Sequence, residues 1–147
     1  MSRAMSAMAR LAKVRQDMAM AKARRIASEF AKAKDLNEQV INYANEYGNA
    51  AMQMGQKGVS VSMLNDTMAF RTKLLAGASE QELATAQMHQ QLKLANQQAL
   101  AAKLKSQGLD RAVARRKKEA EQKLQQAEWQ SIEDSFSHRK SPFSSQK

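Results

Sequence analysis

The sequence predicts an all-α fold, a long antiparallel two-helix coiled-coil hairpin with a short helix near the connecting loop and a disordered C-terminal tail. Three observations predict it. Good helix formers (Ala, Gln, Lys, Arg, Glu, Leu and Met) dominate the 147 residues, and the single proline, Pro142, lies almost at the end. Apolar and small residues recur at steps of three and four along two long stretches. Between these stretches, "GQKGVSVS" carries Gly55 and Gly58 in a setting of valine and serine that ends one helix and starts another.

The first helix is expected over about 3–54. Its seam reads Leu11, Val14, Met18, Ile26, Phe30, Ala33, Leu36, Val40, Tyr43, Tyr47, Ala51 and Met54. The interval from Met18 to Ile26 requires one additional four-residue step, a stutter that relaxes the supercoil without ending the helix. Ser60 or Ser62 is placed to cap the restart, and Leu64, Met68, Leu74 and Leu75 predict a short helix over about 62–76, closed by Gly77. Ser79 followed by Glu82 forms a capping-box pattern, so the last helix is expected over about 79–138. Its seam reads Leu83, Ala86, Gln90, Leu94, Gln97, Ala101 and Leu104. Residues 1–138 make one coiled-coil domain, and 139–147, rich in serine and charge without periodicity, form the disordered tail. Helices of roughly 50 to 60 residues give a rod about 75–90 Å long, with the aromatic segment at one tip.

Composition excludes several classes of function. The hydrophobic share is 43%, but much of it is alanine and only 5% of residues are aromatic, too little for a large globular core. Without cysteine there is neither a disulfide framework nor a thiolate metal site, and His89 and His138 stand apart from any carboxylate cluster. No glycine-rich phosphate loop or nucleophile elbow is present, and Ser, His and Asp residues scattered on long helices build no dry pocket, so no enzyme and no cofactor are expected. The chain has no apolar run long enough for a transmembrane segment and no secretory signal, which points to a soluble, cytoplasmic protein. The N-terminal "MSRAMSAMARLAKVRQ" has the composition of a mitochondrial transit peptide, but its helical pattern runs on without a processing boundary.

The net charge of +10 is unevenly distributed. Residues 1–34 hold nine Lys/Arg against two acids, 35–100 hold four against six, and 101–147 hold eleven against six. In an antiparallel hairpin the two basic stretches meet at the open end, which favours an acidic partner surface or a polyanion over a merely solvated face. The cluster Arg115, Arg116, Lys117 and Lys118 is able to neutralise phosphates, but no aromatic side chains interleave it for base stacking and no specific nucleic-acid motif is present. Trp129, Ile132 and Phe136 share one helical face. Two alternatives stand for that face: packing on Met1, Met5 and Met8, or docking of a partner.

The stretch "LNEQVINYANEYGNAAMQMGQKGVSVSMLNDTMAFRTKLL" resembles the FliJ family of flagellar export proteins. The Tyr-x-x-Glu-Tyr segment Tyr43 to Tyr47, the glycine-containing break and the pair Phe70 and Leu74 carry the resemblance, together with the charged "RRKKEAEQKLQQAEWQSIEDSF". It covers roughly residues 5–138, and the methionine- and alanine-rich N-terminus departs from the family pattern. The resemblance implies a non-enzymatic component of the flagellar type III protein export apparatus, cytoplasmic and peripherally associated with the inner membrane. Such a stalk inserts into the hexamer of the export ATPase FliI and promotes its assembly. It links the ring to the cytoplasmic domain of the export-gate protein FlhA, and it escorts export chaperones.

Under this resemblance Val40, Tyr43, Tyr47, Phe70 and Leu74 form the export-gate surface, although the same residues also serve to staple the short helix onto the first. Arg24, Arg25, Arg115, Arg116, Lys117, Lys118, Trp129, Ile132 and Phe136 form the ATPase surface. The alternatives are a basic coiled-coil adaptor, including the stalk of an injectisome, and a nucleic-acid-associated helical protein.

Overall fold

The computed structural model describes the backbone of residues 2–140 and the side chains of residues 3–138. Two long helices account for nearly all of it, α1 (Ser2–Gln56, 55 residues) and α2 (Val61–Lys140, 80 residues), and there is no strand among the described residues. The two helices pack against each other antiparallel. Phe30 meets His89, Tyr47 meets Phe70 and Met54 meets Thr67, so partner numbers fall along α2 as they rise along α1.

The turn between them follows from its sequence. Gly58 takes a φ of 75°, a conformation that an L side chain adopts only with strain, and there α1 ends. The Val59 amide donates to the Met54 carbonyl at 3.2 Å and the Lys57 amide to the Gln53 carbonyl at 3.1 Å, which satisfies carbonyls left open at the helix end in a Schellman-type pattern. Of the two candidate caps it is Ser60 that acts: its Oγ accepts from the Met63 amide at 3.3 Å and its carbonyl from the Leu64 amide at 3.2 Å.

The separate short helix over 62–76 and the restart at Ser79 do not occur; α2 runs unbroken through Gly77 and Gly108. A glycine inside a helix costs about 1 kcal/mol, which packing of neighbouring turns offsets. Ala78 beside Gly77 is buried, as is Ser106 two residues before Gly108. Of the tail expected over 139–147, Arg139 and Lys140 belong to the last turn of α2, and the rest lies outside the described residues.

The chain's contacts group into two compact units, one made of Met1–Gln16 with Ala102–Lys147 and one of Asp17–Ala101. In the second unit the sheltered face of α1 reads Ala19, Ala23, Ile26, Phe30, Ala33, Asn37, Val40, Ala44, Tyr47, Ala51 and Met54, strict alternating steps of four and three. No stutter is needed. Leu36 and Tyr43, expected in the seam, are exposed. The sheltered face of α2 there reads Leu64, Thr67, Arg71, Leu74, Ala78, Gln81, Thr85, Met88, Leu92, Ala95 and Ala99. The expected α2 seam is therefore displaced around the helix: Leu83, Ala86, Gln90, Leu94, Gln97, Ala101 and Leu104 are all exposed.

In the first unit Met5, Ala9, Ala12 and Gln16 of α1 are sheltered, with Ala102, Ser106, Leu109 and Val113 of α2, while Leu11 and Val14 face outward. The fully buried apolar residues of the described chain are all alanines, from Ala44 at 0% exposure to Ala9 and Ala33. Between these alanines the larger seam residues, among them Ile26, Phe30, Val40, Leu74 and Leu92, are only half-buried.

Candidate partner-binding surfaces

In the second unit an aromatic cluster bridges the helices. Tyr43 and Tyr47 stand one helical turn apart on α1 with ring centroids 5.4 Å apart and tilted by 53°. The Tyr47 ring lies 4.8 Å from that of Phe70 on α2, tilted by 51°. Such tilted pairs suit the ring quadrupoles. The five residues expected at a gate surface divide by position. Val40, Tyr47 and Leu74 are half-buried seam residues and hold α1 to α2, whereas Tyr43 and Phe70 stand outside the seam, 52% and 43% exposed. Phe70 combines both roles, since its ring meets Tyr47 across the helices while 43% of the residue stays exposed.

In the first unit Met5 and Ser6 lie with Val113, Arg116, Lys117 and Ala120 around a small cleft. Every described residue of α2 beyond Val113 is exposed. Trp129, Ile132 and Phe136 do not pack on Met5 or Met8; they are 66%, 48% and 62% exposed along one face. Of the two alternatives for this stripe, packing on Met5 and Met8 is removed, and Met8 is itself exposed; Met1 lies outside the described residues.

Arg115, Arg116, Lys117 and Lys118 are exposed in this same unit, whose residues 3–16 and 102–138 hold twelve Lys/Arg against six Asp/Glu. The basic charge of the molecule is concentrated there, because the second unit is nearly balanced at nine against eight. Arg24 and Arg25 are exposed in the second unit and so do not belong to the same compact unit as the other expected ATPase-facing residues.

Two features escaped the sequence reading. Arg71 occupies a sheltered seam position opposite Gly48, beside a hollow of about 590 Å³. Asn37 also sits in the seam, with its Oδ1 buried and lacking a hydrogen-bond partner, next to a second hollow of about 430 Å³ that includes Phe30 and His89. The available signal was a charged or amide residue recurring at the seam spacing, visible only once the seam is placed in the right register.

No helix is long and apolar enough to cross a membrane, and no group of three or more His, Cys, Asp or Glu able to hold a metal ion occurs among the described residues. No family model, no curated protein and no solved structure matches this chain.

Proposed function

We propose that the chain is a non-enzymatic helical stalk that joins partner proteins, working in flagellar type III protein export. The observation that carries the reading is the stripe of Trp129, Ile132 and Phe136, exposed on a stretch of α2 in which every described residue is exposed. Aromatic anchors on a bare helix face are the side chains that dominate protein interfaces. Beside them Arg115, Arg116, Lys117 and Lys118 supply charge for steering toward an acidic surface. In this reading they engage the export ATPase hexamer, and Tyr43 and Phe70 engage the export gate. The resemblance around Tyr43–Tyr47 and Phe70–Leu74 supports that assignment. Export chaperones are further partners, and the location is the cytoplasmic face of the inner membrane.

The test is titration of the chain into the flagellar export ATPase of the same organism, reading hydrolysis rate and hexamer formation by light scattering, with a basic coiled coil of equal charge as control. A rise in both beyond the control, lost on Trp129→Ala with Phe136→Ala while helicity is unchanged, is the expected result. No rise beyond the control overturns the reading.

A polyanion-binding role is the second reading, favoured by the four exposed cations at 115–118. It requires duplex or single-stranded nucleic acid to bind at physiological salt. Binding carried by phosphate contacts alone weakens steeply with salt and shows no sequence preference. That behaviour would identify the cluster as a general electrostatic surface.

A further inference from the structure

Arg71 stands where an apolar residue belongs. Leu64, Thr67, Arg71, Leu74 and Ala78 follow one another on α2 at steps of three and four, and all are sheltered against α1. A guanidinium in such a row needs room, and α1 provides it by having no side chain at Gly48. A Cβ at that position would lie 2.9 Å from Arg71 Nε and 3.4 Å from its Cδ. The arginine Nε is buried and has no hydrogen-bond partner.

The hollow that Arg71 helps to line has Met52, Leu64 and Met68 among its apolar residues and Asn45 and Asn49 among its polar ones; none of its lining residues is Asp or Glu. Tyr43, Tyr47 and Phe70 do not line it, so it is distinct from the aromatic cluster.

This arrangement stabilises the isolated hairpin poorly. Arg71 is half-buried, its Nε–H donor is buried without an acceptor, and no residue lining the hollow supplies a carboxylate to meet it. What the site lacks is an anion.

We propose that the hollow binds a polypeptide segment of a partner protein that carries a carboxylate beside an apolar side chain. Arg71 takes the carboxylate, the Asn45 and Asn49 amides complete its hydrogen bonds, and Met52 and Met68 enclose the apolar neighbour. The guanidinium matches a carboxylate in plane and charge. One cation balances one carboxylate, whereas a phosphate dianion would leave uncompensated negative charge among methionines. Methionine walls adapt to branched side chains of varied shape. A volume of about 590 Å³ suits a few side chains of a peptide. The carboxylate comes from an Asp or Glu side chain or from a chain terminus, and the site chemistry is common to both. The proposal stands independently of the export reading.

The experiment follows the Arg Nε–Hε and Asn side-chain amide resonances of the ¹⁵N-labelled full chain during titration with defined peptides. The first pair is N-acetyl-Leu-Glu-Leu-amide and its Gln counterpart; the second is N-acetyl-Gly-Leu-Leu as free acid and as amide. The expected result is saturable shifts at Arg71, Asn45 and Asn49 with a carboxylate peptide, and affinity at least about tenfold weaker for its neutral counterpart. Whichever pair shows the larger ratio names the source of the carboxylate. Arg71→Met, which keeps an apolar stem in the seam, is expected to abolish the discrimination while circular dichroism stays helical, and Arg71→Lys to retain only part of it.

Equal binding of both members of each pair, or no saturable shift in the wild-type chain, overturns the proposal. So do the same shifts with sodium acetate at matched ionic strength, which would mark an adventitious ion only. The wild-type comparison decides the matter even where a variant loses helicity.

Discussion

The Tyr47 ring of α1 lies 4.8 Å from the Phe70 ring of α2, tilted by 51°, and so ties the two helices together close to the turn. Beyond area burial, such a pair contributes about 0.5–1.5 kcal/mol. A double-mutant cycle with Tyr47→Ala and Phe70→Ala, read by urea unfolding, is expected to return a coupling in that range. Tyr43→Ala, removing a ring that is mostly exposed, is expected to leave stability within about 0.5 kcal/mol and to weaken partner binding at this cluster. Zero coupling between Tyr47 and Phe70 would mean the ring contact does not hold the helices.

Two leucines two residues apart distinguish the observed register from the one that leucine spacing suggests. Leu92 is half-buried in the seam, whereas Leu94 is 56% exposed. Leu92→Ala is expected to destabilise by about 2 kcal/mol, and Leu94→Ala by less than about 0.5 kcal/mol. Thermal unfolding followed by circular dichroism measures both, and the reverse order would contradict the alanine seam.

A fully buried small side chain leaves no room for added bulk. Ala44 is fully buried, at 0% exposure. Ala44→Leu adds three carbon atoms to a filled space, with an expected loss of about 1–3 kcal/mol. In a conventional leucine seam the same substitution would be neutral or stabilising, so the sign of the change in denaturation midpoint reads the packing type directly.

Glycines in this chain fall into opposite classes. Gly58 has φ 75°, and Gly58→Ala is expected to cost about 1–2 kcal/mol because the αL conformation brings Cβ against the following carbonyl. Gly77 is helical and a Cβ there meets nothing within 4 Å. Gly77→Ala is therefore expected to stabilise by roughly 0.5–1 kcal/mol through lower unfolded-state entropy and better helix propensity. Equilibrium unfolding of the two variants should shift in opposite directions.

Much of the architecture was legible in the sequence. Helix formers without an interior proline determined that the chain is helical, Gly58 and Ser60 determined where one helix ends and the next begins, and the short connection determined that they run antiparallel. From Ile26 to Met54 most of the seam was readable too, since Ile26, Phe30, Ala33, Val40, Tyr47, Ala51 and Met54 are sheltered as their spacing requires. The meeting of Tyr47 with Phe70 across the turn follows from the same register.

Tertiary structure decided which face of α2, and of α1 before Ile26, lies inside. Leu11, Val14 and Met18 on α1, and Leu83, Leu94 and Leu104 on α2, repeat at coiled-coil spacing yet face outward, while Ala9, Ala12, Gln16 and Ala19 on α1 and Thr85, Met88, Leu92, Ala95 and Ala99 on α2 are sheltered. A helix can carry two rows of the same period on different faces, and periodicity alone cannot choose between them. The choice depends on how the two helices fit together, a property of the pair rather than of either sequence segment. Arg71 shows the same dependence: its place over Gly48 comes from two residues 23 positions apart in the chain, brought together only when the helices pack. The open face of Trp129, Ile132 and Phe136 likewise shows only in the structure, where every described residue of α2 beyond Val113 is exposed.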